Sequence, residues 1–238
     1  MRKCALILAP HPDDESITGL LPLRLQEECG FRIWVVPITW GSRLDRQAAR
    51  KHEMKAACNK LDFHLRKLEA PMGSKGCVQE LADRFEQLSP TVVLMPHLKD
   101  GHSTHRETHR LGVAAMDCFE HRRFHVLETE YWHPLARPNL MVSADETQLR
   151  RLCGALACHV GEIERNNYAA RLPAWMIDNV RRGTELIGGA GTATPAIEYA
   201  TLYRTRRREN RGWISEFQQG RLIDSSEELG LLVSCWEV

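Results

Sequence analysis

His11, Asp13, Asp14 and Glu15 put one imidazole and three carboxylates within five residues, and His97, Asp100, His102 and His105 form a second short cluster of the same kinds of group. Nitrogen and carboxylate oxygen together hold a divalent cation such as zinc, and a carboxylate or imidazole left over moves protons. A hydrolytic zinc site takes three ligands from protein and leaves the fourth position to water, whose pKa falls to about 7. His11, Asp14 and His105 would supply that set. Asp13, one residue before a ligand, would act as general base, kept ionised by the cation beside it. His102, three residues before His105, would face a developing oxyanion or protonate a leaving amine.

Such groups react only if the chain brings them together. Cys4 to Ala9 is short, apolar and uncharged, and reads as a buried parallel strand. His11 to Glu15 then leave its carboxyl end, the edge of an open α/β sheet where ligands bind. Glu15 opens the following helix, whose N-terminus favours acidic side chains. The second cluster likewise follows a strand-like run, Thr91 to Met95, and precedes a helix-like one. Each cluster alone also reads as an ordinary turn, with Pro fixing φ and Asp capping a helix; two at matching strand exits argue for a site. His97 and Asp100 read either as groups that orient a ligand or as surface residues. His109, one helical turn after His105, would chelate with it but would leave the first cluster unexplained. The histidines at 52, 64, 121, 125, 133 and 159 have no company of ligands and read as structural or exposed.

Strand-like and helix-like segments alternate over the first 163 residues. Helices are expected near Glu15 to Cys29 (kinked or shortened by Pro22), Arg46 to Leu61, Val78 to Leu88, Leu111 to Phe119 and Leu149 to Ile163. Strands are expected at Arg32 to Thr39, Phe124 to Trp132 and Leu140 to Ala144. The pattern predicts a three-layer, Rossmann-like α/β fold with a mainly parallel sheet. All 238 residues read as a single domain, in which about 165–238 is a less regular extension that shapes the substrate pocket. The glycines at 188, 189 and 191 have no strand before them and read as a loop rather than a dinucleotide fingerprint. Arg204, Arg206, Arg207, Arg208 and Arg211 read as a solvated helix face.

Thirty-two Lys and Arg nearly cancel thirty-one Asp and Glu, so no global field recruits nucleic acid or an anionic membrane. The apolar run near the N-terminus is too short for a membrane span or a signal peptide, and a cytoplasmic protein is expected. Eight scattered cysteines without a Cys-x-x-Cys pair read as ordinary thiols.

Ala9-Pro10-His11-Pro12-Asp13-Asp14-Glu15, with Gly19 shortly after, resembles the signature of the PIG-L/LmbE de-N-acetylases. Thr39-Trp40-Gly41 followed by Arg50-x-x-Glu53-x-x-x-Ala57-x-x-x-Leu61 is similar to that family's second strand and helix, and Gly101-His102-x-x-His105 to its second metal motif. The likeness covers about residues 4 to 120 and continues loosely through Glu130-Tyr131-Trp132-His133-Pro134. It implies His11, Asp14 and His105 as zinc ligands, Asp13 as general base and His102 as the electrophilic histidine. It also implies hydrolysis of an N-acetyl group from an N-acetylglucosamine-type amino sugar or its conjugate. Arg50 matches a position near the substrate, while Glu15, Glu53 and Asp100 are expected to support the site. Ser103-Thr104 stands where the family usually has Pro-Asp or Pro-Asn, a departure that touches no metal ligand and bears on the tuning of the site or the shape of the loop.

The expected protein is thus a zinc-dependent hydrolase, another divalent cation being an alternative, whose partner is a small N-acetylated amino sugar. Homo-oligomerisation is left open. Two other classes compete: a non-catalytic α/β protein that binds a sugar or nucleotide around a structural metal, and a hydrolase of esters or phosphates using another ion.

Overall fold

A computed structural model describes residues 3–236. Strands β1 (Cys4–Ala9), β2 (Arg32–Pro37), β3 (His64–Leu65), β4 (Val92–Pro96) and β5 (Phe124–Thr129) lie parallel in the order β3-β2-β1-β4-β5. Past β5 the sheet becomes mixed through β6 (Leu140–Ala144), β7 (Tyr199–Glu209), β8 (Gly212–Ser215) and β9 (Arg221–Ile223). β7 runs antiparallel to both β5 and β6: its residues 204–208 pair with β5 and 199–203 with β6. β9 then pairs parallel to β6, and β8 pairs with the far end of β7.

Nine helices cover the sheet among the described residues: α1 (Asp14–Ile17), α2 (Leu20–Cys29), α3 (Gln47–Leu61), α4 (Lys75–Leu88), α5 (Ser103–Met116), α6 (Glu146–Leu156), α7 (Val160–Arg165), α8 (Tyr168–Gly183) and α9 (Gly230–Trp236). Alternation along β1 sets the layers, because successive side chains on a strand point to opposite faces. Ala5, Ile7 and Ala9 join the core under α2, α3, α6 and α9, whereas Leu6 and Leu8 join the one under α4 and α5. The expected three-layer α/β architecture is therefore what the chain adopts.

Several boundaries differ from the sequence reading. The helix expected from Glu15 to Cys29 is two helices, α1 and α2, because Gly19 packs so closely on the carbonyl of Glu15 that a Cβ there would collide. Pro22 consequently falls in the first turn of α2, where its missing N–H is no loss. The helix expected through Ile163 breaks at His159, whose side chain turns inward to Glu15, so Val160 is exposed instead of core-facing. β2 ends at Pro37, short of Thr39, and β5 at Thr129, where Glu130 leaves the ladder to pair with Arg182.

The larger correction concerns the C-terminal third. Its arginines are not a helix face but lie in or just after β7, in the midst of the sheet. Arg208 grips the Asp117 carboxylate with two nitrogens, Arg206 pairs with Glu128, and both guanidinium groups stack on the Trp213 ring. An Arg-rich run forms a strand because each cation has a carboxylate or an aromatic face to cover it. The same segment contains the eleven-residue β7 and the sixteen-residue α8. Of the glycines read as a loop, Gly188 instead closes a π-helical turn, Thr184–Gly188, while Gly189 and Gly191 do lie in the loop after it with positive φ. All eight cysteines are unpaired.

Candidate active site

Because β1 and β4 are adjacent and parallel, the chain leaving β1 at Pro10 and the chain leaving β4 at His97 emerge side by side from the carboxyl edge of the sheet. His11 and Asp14 come from the first exit, and His105 from the first turn of α5, after the second. His11 Nδ1 and His105 Nε2 face each other at 3.3 Å, and Asp14 Oδ2 lies 3.5 Å from the former and 3.7 Å from the latter. Ligands 2.0–2.1 Å from one tetrahedral centre stand about 3.3–3.4 Å apart. The three atoms therefore have the spacing to hold one divalent ion of zinc's size. The ring nitrogens of His11, His102 and His105 also lie within 4.8 Å of one another, a looser set.

Each member of the tighter trio is braced. Asp14 Oδ2 accepts the backbone N–H of His11 at 2.8 Å, tying the two ligands of the first turn together. His105 turns Nδ1 toward Asp100 Oδ2, 3.6 Å away, which favours the proton on Nδ1 and leaves the lone pair on Nε2. Asp100, almost fully buried, also accepts the N–H groups of His102 (2.8 Å) and Trp132 (3.3 Å). It thereby locks the second loop. The Tyr131 ring packs edge-on against His105 with centroids 4.8 Å apart, and its hydroxyl bonds Thr18 Oγ1 at 2.9 Å.

Asp13 occupies backbone space that a non-glycine residue seldom takes, φ 118° and ψ −29°. Such strain costs of order 1–3 kcal/mol and needs a clamp. Glu15 is that clamp: its Oε2 accepts the Asp13 N–H at 2.9 Å, while Oε1 accepts from Ser16 Oγ (2.7 Å) and pairs with His159 Nε2 (2.9 Å). Glu15 is fully buried and lies outside the cavity lining, so it shapes the turn rather than meeting a ligand. His102 caps α5 with its ring, Nδ1 accepting the N–H of Thr104 at 3.2 Å. An accepting Nδ1 leaves the proton of the neutral imidazole on Nε2.

The two adjacent aspartates titrate in opposite directions. Burial raises the Asp13 carboxyl well above its ordinary value, and the charges of Asp14 and Glu15 add to this. Burial also raises Asp14, but His105 and then the hydrogen bond and charge of His11 outweigh it, and the net shift is downward. Asp100 ends below its ordinary value in the same way, burial being overcome by the neighbouring His105 imidazole and by the hydrogen bond from the His102 backbone. His102 is lowered by burial and by the neighbouring imidazoles of His11 and His105. A site that separates two carboxylates, one held ionised and one able to take a proton, is equipped for acid–base work.

These groups open on a cavity of about 540 Å³. Arg50 lines it, donating from Nη2 to the Pro12 carbonyl at 3.1 Å and pairing with Glu162 at 3.5 Å. Glu162 shares its other oxygen with Arg165 at 2.6 Å. Trp132, Tyr168 and Trp175 add aromatic walls. The Glu53 carboxylate instead takes Arg46 (3.0 Å) and the Gly161 N–H (3.3 Å), fastening α3 to α7 away from the cavity. His97 bonds the His133 carbonyl and His109 the Pro96 carbonyl, and neither joins the trio. Sequence spacing gave no signal for Glu162, Arg165, Tyr168 or Trp175, which fold back onto the site from α7 and α8. Only the Glu130-Tyr131-Trp132 string at a strand end hinted at Tyr131 and Trp132.

Residues 6–116 match the family model described as PIG-L, GlcNAc-PI de-N-acetylase. A comparison with curated protein sequences finds no match. Among solved structures, the fold is similar to N,N'-diacetylchitobiose deacetylase from Pyrococcus horikoshii at 15% identity, with 85% of this chain and 83% of that one covered and a TM-score of 0.65. It is equally similar to the 4-carboxy-2-hydroxymuconate hydratase of Pseudomonas putida KT2440, at 21% identity, 85% and 95% coverage and a TM-score of 0.66. A zinc-inhibited form of teicoplanin deacetylase shares 14% identity over 85% and 97% of the two chains, with a TM-score of 0.60. Deacetylases and a hydratase thus share one architecture, so the reaction has to be argued from the side chains.

Proposed function

From a chain whose residues 6–116 constitute a PIG-L family domain, we propose a metal-dependent N-deacetylase that removes the acetyl group from an N-acetylglucosamine-type amino sugar or its conjugate. The observation that carries this reading is the Asp14–His11–His105 triangle, with edges of 3.3 to 3.7 Å, beside a buried carboxylate, Asp13, that is raised in pKa. A divalent ion held there, with zinc the first choice, would polarise the acetamide carbonyl and make a nucleophile of water near neutral pH.

The chain's own groups do the rest. Asp13 points no hydrogen bond at another described side chain, so its carboxylate is free to take the proton of the attacking water. A cation at the trio would hold Asp13 ionised beforehand, against the upward pull of burial. Once carrying that proton, Asp13 hands it to the nitrogen that leaves as a free amine. His102 donates from Nε2 to the oxygen on which charge develops, its ring set for that task by the Thr104 N–H. This donor is held by backbone, with no side chain of residues 103–104 supplying a carboxylate. Asp100 ties the loop after β4 to the one after β5 through His102, His105 and Trp132. The aromatic walls offer flat faces to the apolar sides of a sugar ring, and Arg50 stands ready for its hydroxyl or other polar groups.

Purified protein loaded with Zn2+ and incubated with N,N'-diacetylchitobiose or N-acetylglucosamine conjugates is expected to release equimolar acetate and primary amine. Stoichiometric metal binding with no acetate from any such conjugate would overturn the reading and favour the metal as a structural brace.

A further inference from the structure

A second cavity, of about 490 Å³, lies between Trp40 after β2, the Lys51-to-Asn59 face of α3, and Phe63 to Lys67 around β3. It shares no lining residue with the first, although Thr39 and Gly41, on either side of Trp40, line that one. The carboxyl ends of β2 and β3 deliver Trp40 and Lys67 to it, and in open α/β sheets that edge is where ligands bind.

Its lining is one-sided in charge. Lys51, Lys55 and Lys67 contribute three ammonium groups and His52 and His64 two imidazoles; no carboxylate lines the cavity, although Lys67 pairs with Glu69 outside it at 3.5 Å. Lys51 and Lys55 sit one turn apart on α3, a like-charged pair that disfavours the helix. No acid lies three or four residues from either of them. Glu53, the one acid on α3, is already engaged with Arg46 and Gly161. The Lys51 ammonium stands 5.4 Å from the centroid of the Trp40 ring, so cation and indole face lie together. Beneath them Cys58 and Phe63 are buried and apolar. A bare phosphate would leave the indole and the apolar floor unused, and a neutral aromatic would leave Lys51 and Lys55 without counter-charge.

The geometry points to a second ligand site, for an anion carried on a flat ring, of the nucleoside phosphate class, with the ring on Trp40 and the phosphates on Lys51 and Lys55. Stacking on an indole and charge pairing with lysine are separable contributions, and the second is screened by salt. The site is independent of the deacetylase reading.

Titration calorimetry on the full chain tests it, with ADP as probe and adenosine and inorganic phosphate as its two halves. ADP is expected to bind once per chain, about tenfold or more tighter than either half, and more weakly at high salt. Lys51→Glu combined with Lys55→Glu, both exposed positions, should weaken ADP at least about tenfold. Trp40→Ala should weaken it by about 5- to 100-fold, with Trp40→Phe retaining most of the affinity. His11→Ala combined with His105→Ala should leave ADP binding unchanged. Absence of ADP binding to the unmodified chain, or equal affinity in the double lysine variant, would overturn the proposal. So would loss of ADP binding in the double histidine variant, since that places the nucleotide in the first cavity.

Discussion

Asp100→Asn changes a single atom yet should reverse the preference of a histidine. In the unmodified chain Oδ1 accepts the His102 N–H, and Oδ2 faces both the Trp132 N–H at 3.3 Å and His105 Nδ1 at 3.6 Å. The amide keeps an oxygen for His102 but turns an NH2 toward two groups that are themselves donors. The least costly response is for His105 to move its proton from Nδ1 to Nε2, so that Nδ1 accepts from the new amide. Nε2 is the nitrogen that faces His11 and Asp14, and once protonated it has no lone pair to offer. Loss of such an outer carboxylate typically weakens metal binding 10- to 100-fold, or about 1.4–2.8 kcal/mol. Competition for zinc against a chromophoric chelator, with circular dichroism to verify the fold, measures this directly and needs no substrate. A zinc affinity within twofold of the unmodified chain, in a folded variant, would refute the tautomer argument and with it the assignment of His105 Nε2 as a ligand.

Metal removal should be visible as stability: at a free zinc concentration a hundred times Kd the ion contributes about 2.7 kcal/mol, about 5–10 °C of melting temperature for a chain of this size. Differential scanning fluorimetry with and without chelator checks this, and the shift should vanish in His11→Ala and His105→Ala. Asp13→Ala and His102→Ala should each keep the zinc-dependent melting shift while turnover falls at least about a hundredfold; near-normal acetate release from either removes that residue from the reaction. Glu15→Ala strands the Asp13 N–H and buried His159, and should cost about 3–5 kcal/mol in denaturant unfolding; a loss under about 1 kcal/mol would show that the Asp13 backbone needs no clamp.

What the sequence disclosed follows from how local each signal is. Cys4–Ala9, Val92–Pro96 and the i, i+3, i+4 faces of α3 to α5 were legible because a short apolar run or a one-sided helix is dictated by burial alone. The two clusters were legible as one site because both leave strands at their carboxyl ends, and adjacency of β1 and β4 was the only tertiary fact required. Where a side chain overrides periodicity, the reading fails. His159 ends a helix that its neighbours would continue, because its ring is drawn to Glu15, 144 residues earlier. β7 was hidden for a related reason: Arg206 and Arg208 look solvated until Glu128, Asp117 and Trp213 are known to be waiting for them.

The same distinction separates what the family-matched segment can do from what the remainder adds. Residues 6–116 contain the trio, Asp13, His102 and Arg50, the groups proposed to hold a metal ion, move a proton and meet the substrate. Beyond them, Glu130 pairs with Arg182 of α8 and accepts the Leu135 N–H, so Tyr131 is held against His105 and Trp132 near His102 by a helix that arrives about fifty residues later. Glu53 reaches across from α3 to the Gly161 N–H, which sets α7 at the angle that brings Glu162 to Arg50. Arg24, wholly buried, ties α2 to the carbonyls of Ser143, Asp224 and Glu227 and so anchors the last segment to the first helical layer. The candidate reacting groups thus stand on loops fixed by neighbouring parallel strands, whereas the cavity walls rest on ion pairs between segments distant in sequence.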